Sequence, residues 1–280
     1  MTTLTIFANF FIDTEERFLR MCDSFLSFKD ISAEKWVINV RGRNTERTID
    51  FLRKHLGDKL ISYNLHSKQG WFYDSRLMLK DINSDYILVW MEDQINLAGT
   101  TLLDKIISEM KEKDLDYMFY TCWHKGFLRD RYQGVPFTAG VNLDSFLHTA
   151  ENNPTIQSNR GGSFLIAFPS IQKNSFFKKI INTDDPIPRR WPKETPFDFE
   201  KRPKAIHWLP IKVALPKQEL FASIDDDNGC EGYCLQARGL YPIREGRKTY
   251  AIIKRPRYRI FLSYLKAQIK KDKQLIIFFL

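Results

Sequence analysis

The sequence predicts an α/β protein: a mostly parallel sheet flanked by helices, followed by a basic amphipathic helical tail. Three observations predict it. From Leu4 to Thr121, short apolar runs of strand length alternate with amphipathic stretches of helix length, the pattern of βαβ units in a doubly wound sheet. Tyr86-Ile87-Leu88-Val89-Trp90 is apolar throughout, as a strand covered on both faces has to be. The whole net charge of +9 lies at the carboxyl end. From Arg244 onward eleven Lys or Arg oppose only Glu245 and Asp272, which leaves 32 bases and 32 acids in residues 1–243.

In chain order, Leu4–Ala8 reads as the first strand and Thr14–Phe28 as a helix, with Glu15 and Glu16 at the positive end of its dipole. Trp36–Val40 is the second strand, running into Arg41-Gly42-Arg43-Asn44. Thr45–Leu56 is the second helix, with Ile49, Phe51, Leu52 and Leu56 inward and Gly57 as its stop. Leu60–Tyr63 is a third strand. Gly70–Ile82 has roughly the apolar spacing of a helix with one buried face, and Asn83-Ser84-Asp85 ends it before the Tyr86–Trp90 strand. Thr100–Lys113 is an amphipathic helix and Asp116–Thr121 a strand. Periodicity then loosens through Trp123–Asn159, with a short helix expected around Asn142–Thr149. Gly161-Gly162 leads into a strand over Ser163–Phe168, and Ser170–Ile181 reads as helix. Thr183–Pro196 is a Pro-rich loop, with Thr195 and Pro196 opening a short helix through Phe199. Ile206–Leu215 is strand-like, and Phe221–Asp227 ends in three acids.

Hydrophobic residues at 43% and aromatics at 14% of 280 residues supply a full core and exclude a disordered chain. Met1-Thr2-Thr3 lacks the basic start of a signal peptide, and no stretch reaches membrane-spanning length. The scattered cysteines Cys22, Cys122, Cys230 and Cys234 are expected to be reduced thiols in a cytoplasmic compartment. Cys230-x3-Cys234 is a weak zinc signal, because no second Cys or His pair has matching spacing.

The chemistry begins at Glu92 and Asp93, directly after the buried strand. Ligands of open α/β sheets bind at the carboxyl ends of strands, and paired carboxylates there can hold a hard cation and the phosphates it bridges. A polar turn with acids capping the next helix is the plainer account of the same residues. The order of strand, helix, strand, helix, strand, helix, apolar strand and acidic pair resembles the nucleotide-binding half of GT-A-fold glycosyltransferases, which is Rossmann-like. The nearest comparison is the inverting family-2 type. That family's helix with an Arg leading to Tyr-Ile and an Asp-x-Asp is matched here by Arg76, Tyr86-Ile87 and Glu92-Asp93-Gln94. The likeness covers residues 4–120 well and 160–200 more loosely. It implies that Asp93 and Glu92 face the donor diphosphate through Mg²⁺ or Mn²⁺. Gln94, a neutral amide, stands where the family carries a second Asp. Asn9, Arg41 and Arg76 fall at or near the ends of the early βα units, where the family binds its nucleotide-sugar.

The same resemblance implies a general base near the start of a short helix past a Gly-containing strand, and Glu194 and then Asp198 are the nearest equivalents. Taken alone, these are acids of the kind favoured in a first helical turn. Asp225-Asp226-Asp227-Asn228-Gly229 reads first as a turn and second as part of a metal or acceptor pocket; its spacing is not that of an EF-hand. His207 is a lesser candidate.

The tail sets Ile260, Phe261, Tyr264, Leu265 and Ile269 on one side of a helix from Arg257 to Lys273. Basic residues fill the rest, and the chain closes on an apolar plug over 275–280. Cations beside apolar anchors suit the anionic surface of a membrane. The apolar end argues against nucleic acid as the partner, and docking on the protein's own core is the bland alternative.

These expectations divide the chain into a glycosyltransferase domain (1–243) and a membrane-associating tail (244–280). The domain would have a donor half over 1–122 and an acceptor half over 123–243. The enzyme would be peripheral on the cytoplasmic face of the cell membrane, acting on a bacterial surface glycan carried, in one form, on a lipid. A sugar nucleotidyltransferase is the second enzymatic reading, although Asn9–Asp13 lacks the glycine-rich phosphate loop it needs. A scaffold with a decayed metal site is the third.

Overall fold

The computed structural model describes residues 2–119, 132–159, 170–182, 208–225 and 234–242. The chain divides into units 1–241 and 242–280, and the fold below is that of the first. The expected strands over 163–168, the loop and short helix over 183–199, and the tail lie outside the described residues.

Strand β1 (Leu4–Phe11) leads to helix α1 (Glu15–Phe28), capped by the Thr14 side chain, which accepts from Arg17 N. Strand β2 (Lys35–Arg41), helix α2 (Thr45–Leu56) and strand β3 (Leu60–Tyr63) follow as expected. Helix α3 is confined to Trp71–Met78, because Leu79–Asp81 tighten into a 3-10 turn. Strand β4 (Tyr86–Val89) is buried at every position. Then come β5 (Gln94–Asn96), α4 (Thr100–Glu112), β6 (Tyr117–Phe119) and β7 (Thr138–Ala139). The remaining elements are β8 (Leu143–His148), α5 (Asn153–Asn159), β9 (Ser170–Lys173), α6 (Asn174–Ile181), β10 (Ile211–Pro216) and β11 (Phe221–Ser223).

The main sheet runs β3-β2-β1-β4-β9-β6-β10-β8-β7. It is mixed and mostly parallel. β3, β2, β1 and β4 run together, β9 is antiparallel between β4 and β6, β10 is parallel to β6, and β8 is antiparallel to β10. Alternation along β1 divides the core between the two faces. Ile6, Ala8 and Phe10 pack with α1, α2 and α4, whereas Phe7 packs with Trp71 of α3 and Phe177 of α6. On the first face Trp90 meets Phe10, Phe25 and Trp36 edge-on or tilted, contacts that add to simple burial.

Two expectations are corrected. The stretch around Asn142–Thr149 is strand β8, not a helix. Leu143, Phe146 and Leu147 recur at helical spacing, yet six consecutive residues pair with β10, and Leu147 faces solvent at 50% exposure. The helix expected from Ser170 begins only at Asn174, because Ser170–Lys173 form the central strand β9 and pass into α6 without a linker.

A candidate donor site at the carboxyl ends of the parallel strands

The parallel strands end side by side. Phe11 at the end of β1 lies in register with Arg41 of β2, and Asn9 with Asn39. Trp90, just past β4, donates its N–H to Phe7 O at 2.8 Å, so the chain stays on the sheet until Met91 and then turns through Glu92 and Asp93. Four of the residues singled out in the sequence, Asn9, Arg41 and the acidic pair, thus sit at the ends of adjacent strands.

Asn9 is part of a polar network. Its Nδ2 donates to Ser75 Oγ at 3.1 Å and to Trp71 O at 3.3 Å, and Trp71 Nε1 donates back to Asn9 O at 3.1 Å. Asn39, fully buried, donates to Asn9 Oδ1 at 2.9 Å and to Leu65 O at 3.0 Å, and accepts Leu65 N at 2.7 Å. Asp74, at 1% exposure, accepts Ser67 N through both oxygens. The loop before α3 is therefore fastened to β2 by the buried Asn39 amide and to α3 by the buried Asp74 carboxylate, bonds expensive to leave unmade. Arg76 lies a turn further on, and its Nε donates to Ile181 O of α6 at 2.9 Å.

Phe11 is flanked by two guanidinium groups, with Cζ of Arg41 at 5.8 Å and of Arg17 at 5.9 Å from its ring centre. Arg17 also donates to Phe11 O at 2.8 Å. Arg20 bridges Glu16 at 3.1 Å and Asp225 at 2.7 Å, all three being well covered. Burial pushes the Glu92 carboxyl above its ordinary range, against its own backbone N–H and the fields of Arg17, Arg20 and Arg41. Glu92 therefore stands in a cationic setting that would favour it as a carboxylate were it better hydrated.

The acids are held from an unexpected side. Strand β5 begins at Gln94 and pairs with β11 in a small separate sheet, Gln94 opposite Ser223. Ile224 N then donates to Asp93 O at 2.8 Å. Asp225, the first acid of the 225–227 run, is brought beside the acidic turn; Asp226 and Asp227 lie outside the described residues, as do Glu194, Asp198 and His207. Leu235 and Gln236 donate from their N–H groups to Ser223 O and Ile224 O, which fixes β11 from its other edge.

Among the described residues no three or more His, Cys, Asp or Glu gather as a metal cage. Mg²⁺ is ordinarily held by one or two carboxylates together with substrate phosphates. Glu92 and Asp93 are two carboxyl-bearing residues at one strand end, the number such a shared ion needs. Sequence reasoning passed over Asn39, Phe11, Arg17, Arg20 and Ser24. Asn39 could have been found as the one polar residue inside Trp36–Val40, and Ser24 as a hydroxyl on the apolar face of α1.

No protein-family model and no curated protein sequence matches the chain. Solved structures do match. Residues 1–349 of TarS from S. aureus superpose with a TM-score of 0.51 at 12% identity, over 79% of this chain and 60% of that one. The same piece in complex with UDP-GlcNAc gives 0.51 at 12%, over 79% and 58%. The mannosyltransferase PcManGT from Pyrobaculum calidifontis, in complex with GDP-Man and Mn²⁺, gives 0.51 at 9% identity, over 82% and 59%. The chain thus spans about 60% of the length of these neighbours. The fold is common to all of them, and the chain described here has the GT-A fold.

Proposed function

We propose that the chain is a glycosyltransferase that moves a sugar from a nucleotide-sugar to a hydroxyl of a surface-glycan acceptor, with inversion. The observation that carries this is the convergence of Asn9, Arg41 and the Glu92–Asp93 turn at adjacent strand ends, in a fold whose neighbours are solved in complex with UDP-GlcNAc and GDP-Man.

On this reading the nucleoside lies over the ends of β1 and β2 near Asn9 and Arg41, with Arg76 supporting the helix beside it. The diphosphate faces Asp93 and Glu92, which would hold Mg²⁺ or Mn²⁺ between them and the phosphates. The ion would supply charge neutralisation to the leaving diphosphate. Arg17 and Arg41 add fixed positive charge on the same side. Glu194, or Asp198, takes the proton of the acceptor hydroxyl as its oxygen bonds to the anomeric carbon. The bond from that carbon to the donor phosphate breaks, and the nucleoside diphosphate leaves with the electron pair. The basic tail of 244–280 holds the enzyme on the anionic inner face of the cell membrane, near a lipid-carried acceptor.

A thermal-shift series with UDP and GDP, each with Mg²⁺ or Mn²⁺, tests the donor site. Stabilisation by one nucleotide that is lost in Asp93→Ala is the expected result, and no stabilisation by any nucleoside diphosphate would sink the proposal. Product analysis with donor and acceptor panels then identifies the sugar and the anomeric outcome. Deleting residues 257–280 should release the protein from vesicles containing anionic lipid, and undiminished binding would refute the role given to the tail.

A further inference from the structure

The buried face of α1 is not wholly apolar. Arg20, Ser24 and Ser27 stand about one turn apart along one side of the helix, and each meets the acidic turn or the segment beside it. Ser24 has no exposed surface. Its Oγ accepts from Trp90 Nε1 at 2.8 Å and donates to Gln94 O at 2.5 Å, with Met91 O a longer alternative acceptor at 3.4 Å. A hydroxyl has a single proton, so the chain of bonds runs one way, from Trp90 through Ser24 to Gln94. Trp90 is the last residue before Met91-Glu92-Asp93 and Gln94 is the first after it, so one side chain clasps both ends of the turn.

Two further contacts continue the pattern. Ser27 Oγ accepts Asn96 N at 2.9 Å, and Ser27 O accepts Asn96 Nδ2 at 3.1 Å. Arg20 holds Asp225 at 2.7 Å, next to Ile224, whose N–H reaches Asp93 O. Within the turn itself the bonds are long: Gln94 N to Met91 O at 3.3 Å and Gln94 Nε2 to Asp93 Oδ1 at 3.5 Å. The turn is held from two sides, by Ser24 of α1 at its ends and by the Ile224 N–H at Asp93 O.

We infer that Ser24 is the positioning residue of the Glu92–Asp93 turn, its hydroxyl joining the two ends of the turn so that Asp93 faces the donor diphosphate. The inference rests on the donor-site reading above. A merely structural hydroxyl would affect stability alone, whereas a clasp controls stability and ligand affinity through separate bonds. Ser24→Ala strands the Trp90 N–H and also frees Gln94 O. Trp90→Phe removes the indole N–H and leaves the bond from Ser24 to Gln94 in place.

The test uses the full chain, with melting temperature, titration of UDP and GDP in the presence of Mn²⁺, and amide hydrogen exchange on wild type, Ser24→Ala, Trp90→Phe and the double variant. Ser24→Ala should melt lower, weaken nucleotide binding at least fivefold, and speed exchange of the Gln94 and Ile224 amides at least tenfold relative to the amides of β1. Trp90→Phe should melt lower with affinity within twofold of wild type. In the double variant the loss of stability should be smaller than the sum of the two single losses, because no indole N–H is stranded, while affinity stays weak. Wild-type affinity together with wild-type exchange at Gln94 and Ile224 in Ser24→Ala would overturn the inference. If the wild type binds neither nucleotide, the donor reading falls, and the exchange rates alone decide whether Ser24 clasps the turn.

Discussion

Gly42 tests the floor of the site most directly. It follows β2 at φ +104, and a Cβ built there would lie 2.5 Å from Ile12 O, 2.7 Å from Ile12 C and 3.1 Å from Asp13 N. All three atoms are backbone, so no side chain can swing away. Ile12 is itself clamped, donating to Arg41 O at 2.7 Å and accepting from Asn44 N at 3.0 Å. Gly42→Ala therefore combines a strained φ, worth about 1–3 kcal/mol, with the loss or stretching of two hydrogen bonds at about 1 kcal/mol each. The sum is about 3–5 kcal/mol, or roughly 6–20 °C in melting temperature for a domain of this size. Gly57→Ala is the matched control, since Gly57 has φ +53 but nothing within 4 Å of the added carbon; it should bear only the conformational cost. Thermal unfolding of both variants gives the comparison. If Gly42→Ala melts at or above Gly57→Ala, the packing of the β1 and β2 ends is not as described.

Two other perturbations reach different parts of the molecule. Glu109 accepts Asn142 N at 2.8 Å, Val141 N at 3.0 Å and Lys113 Nζ at 3.0 Å. Burial would raise its pKa, but the Asn142 N–H and Lys113 together hold it below the ordinary 4.5. A lowered folded pKa gives stability that is complete above the unfolded value and lost as pH falls through the folded one. Glu109→Gln should therefore lose about 2–3 kcal/mol at pH 7 and show a flatter fall in melting temperature between pH 5 and pH 3 than wild type, where an unchanged acid slope would contradict the assignment. Asn39→Ala cuts the bonds to Asn9 and Leu65, and should open the loop of residues 64–70 to limited proteolysis at a rate several-fold above wild type, with the sheet still folded by circular dichroism.

The first half of the fold was legible because its strands are short, apolar and regularly spaced, and because its first two helices carry recognisable end signals. Thr14 and Gly57 act at the positions their residue types indicate. The second half was less legible for physical reasons. In β8 the apolar residues fall at helical spacing by coincidence of register, and only pairing with a strand far along the chain decides the outcome. Strand β9 is four residues long and is set between β4 and β6 by contacts that no local pattern announces. At the site, the acids were found from the strand before them. Their supports were not, because Ser24 occupies an apolar helical position and β5 is three residues long, too short to show alternation.

Gln94 stands where a carboxylate was expected, and its surroundings explain the amide. It lies in β5, is 5% exposed, and its nearest polar side-chain contact is Asp93 Oδ1 at 3.5 Å. An ionised carboxylate at that depth would be desolvated beside a like charge with no cation bonded to it, and such placements cost several kcal/mol. Arg20, one of the arginines whose field reaches Glu92, is already bonded to Asp225 and Glu16. The site already holds the acids Glu92, Asp93 and Asp225, and adding a fourth should not improve it. Gln94→Glu, nearly isosteric, should bury a carboxyl whose folded pKa is raised by desolvation and by Asp93. A raised carboxyl pKa means the folded state holds the proton longer than the unfolded state, so stability falls as pH rises from the unfolded value toward the folded one. The variant should approach wild type in melting temperature near pH 4.5 and fall progressively behind it toward pH 8. A constant difference across that range would show that the side chain at 94 escapes to solvent, and that its burial is not what selects the amide.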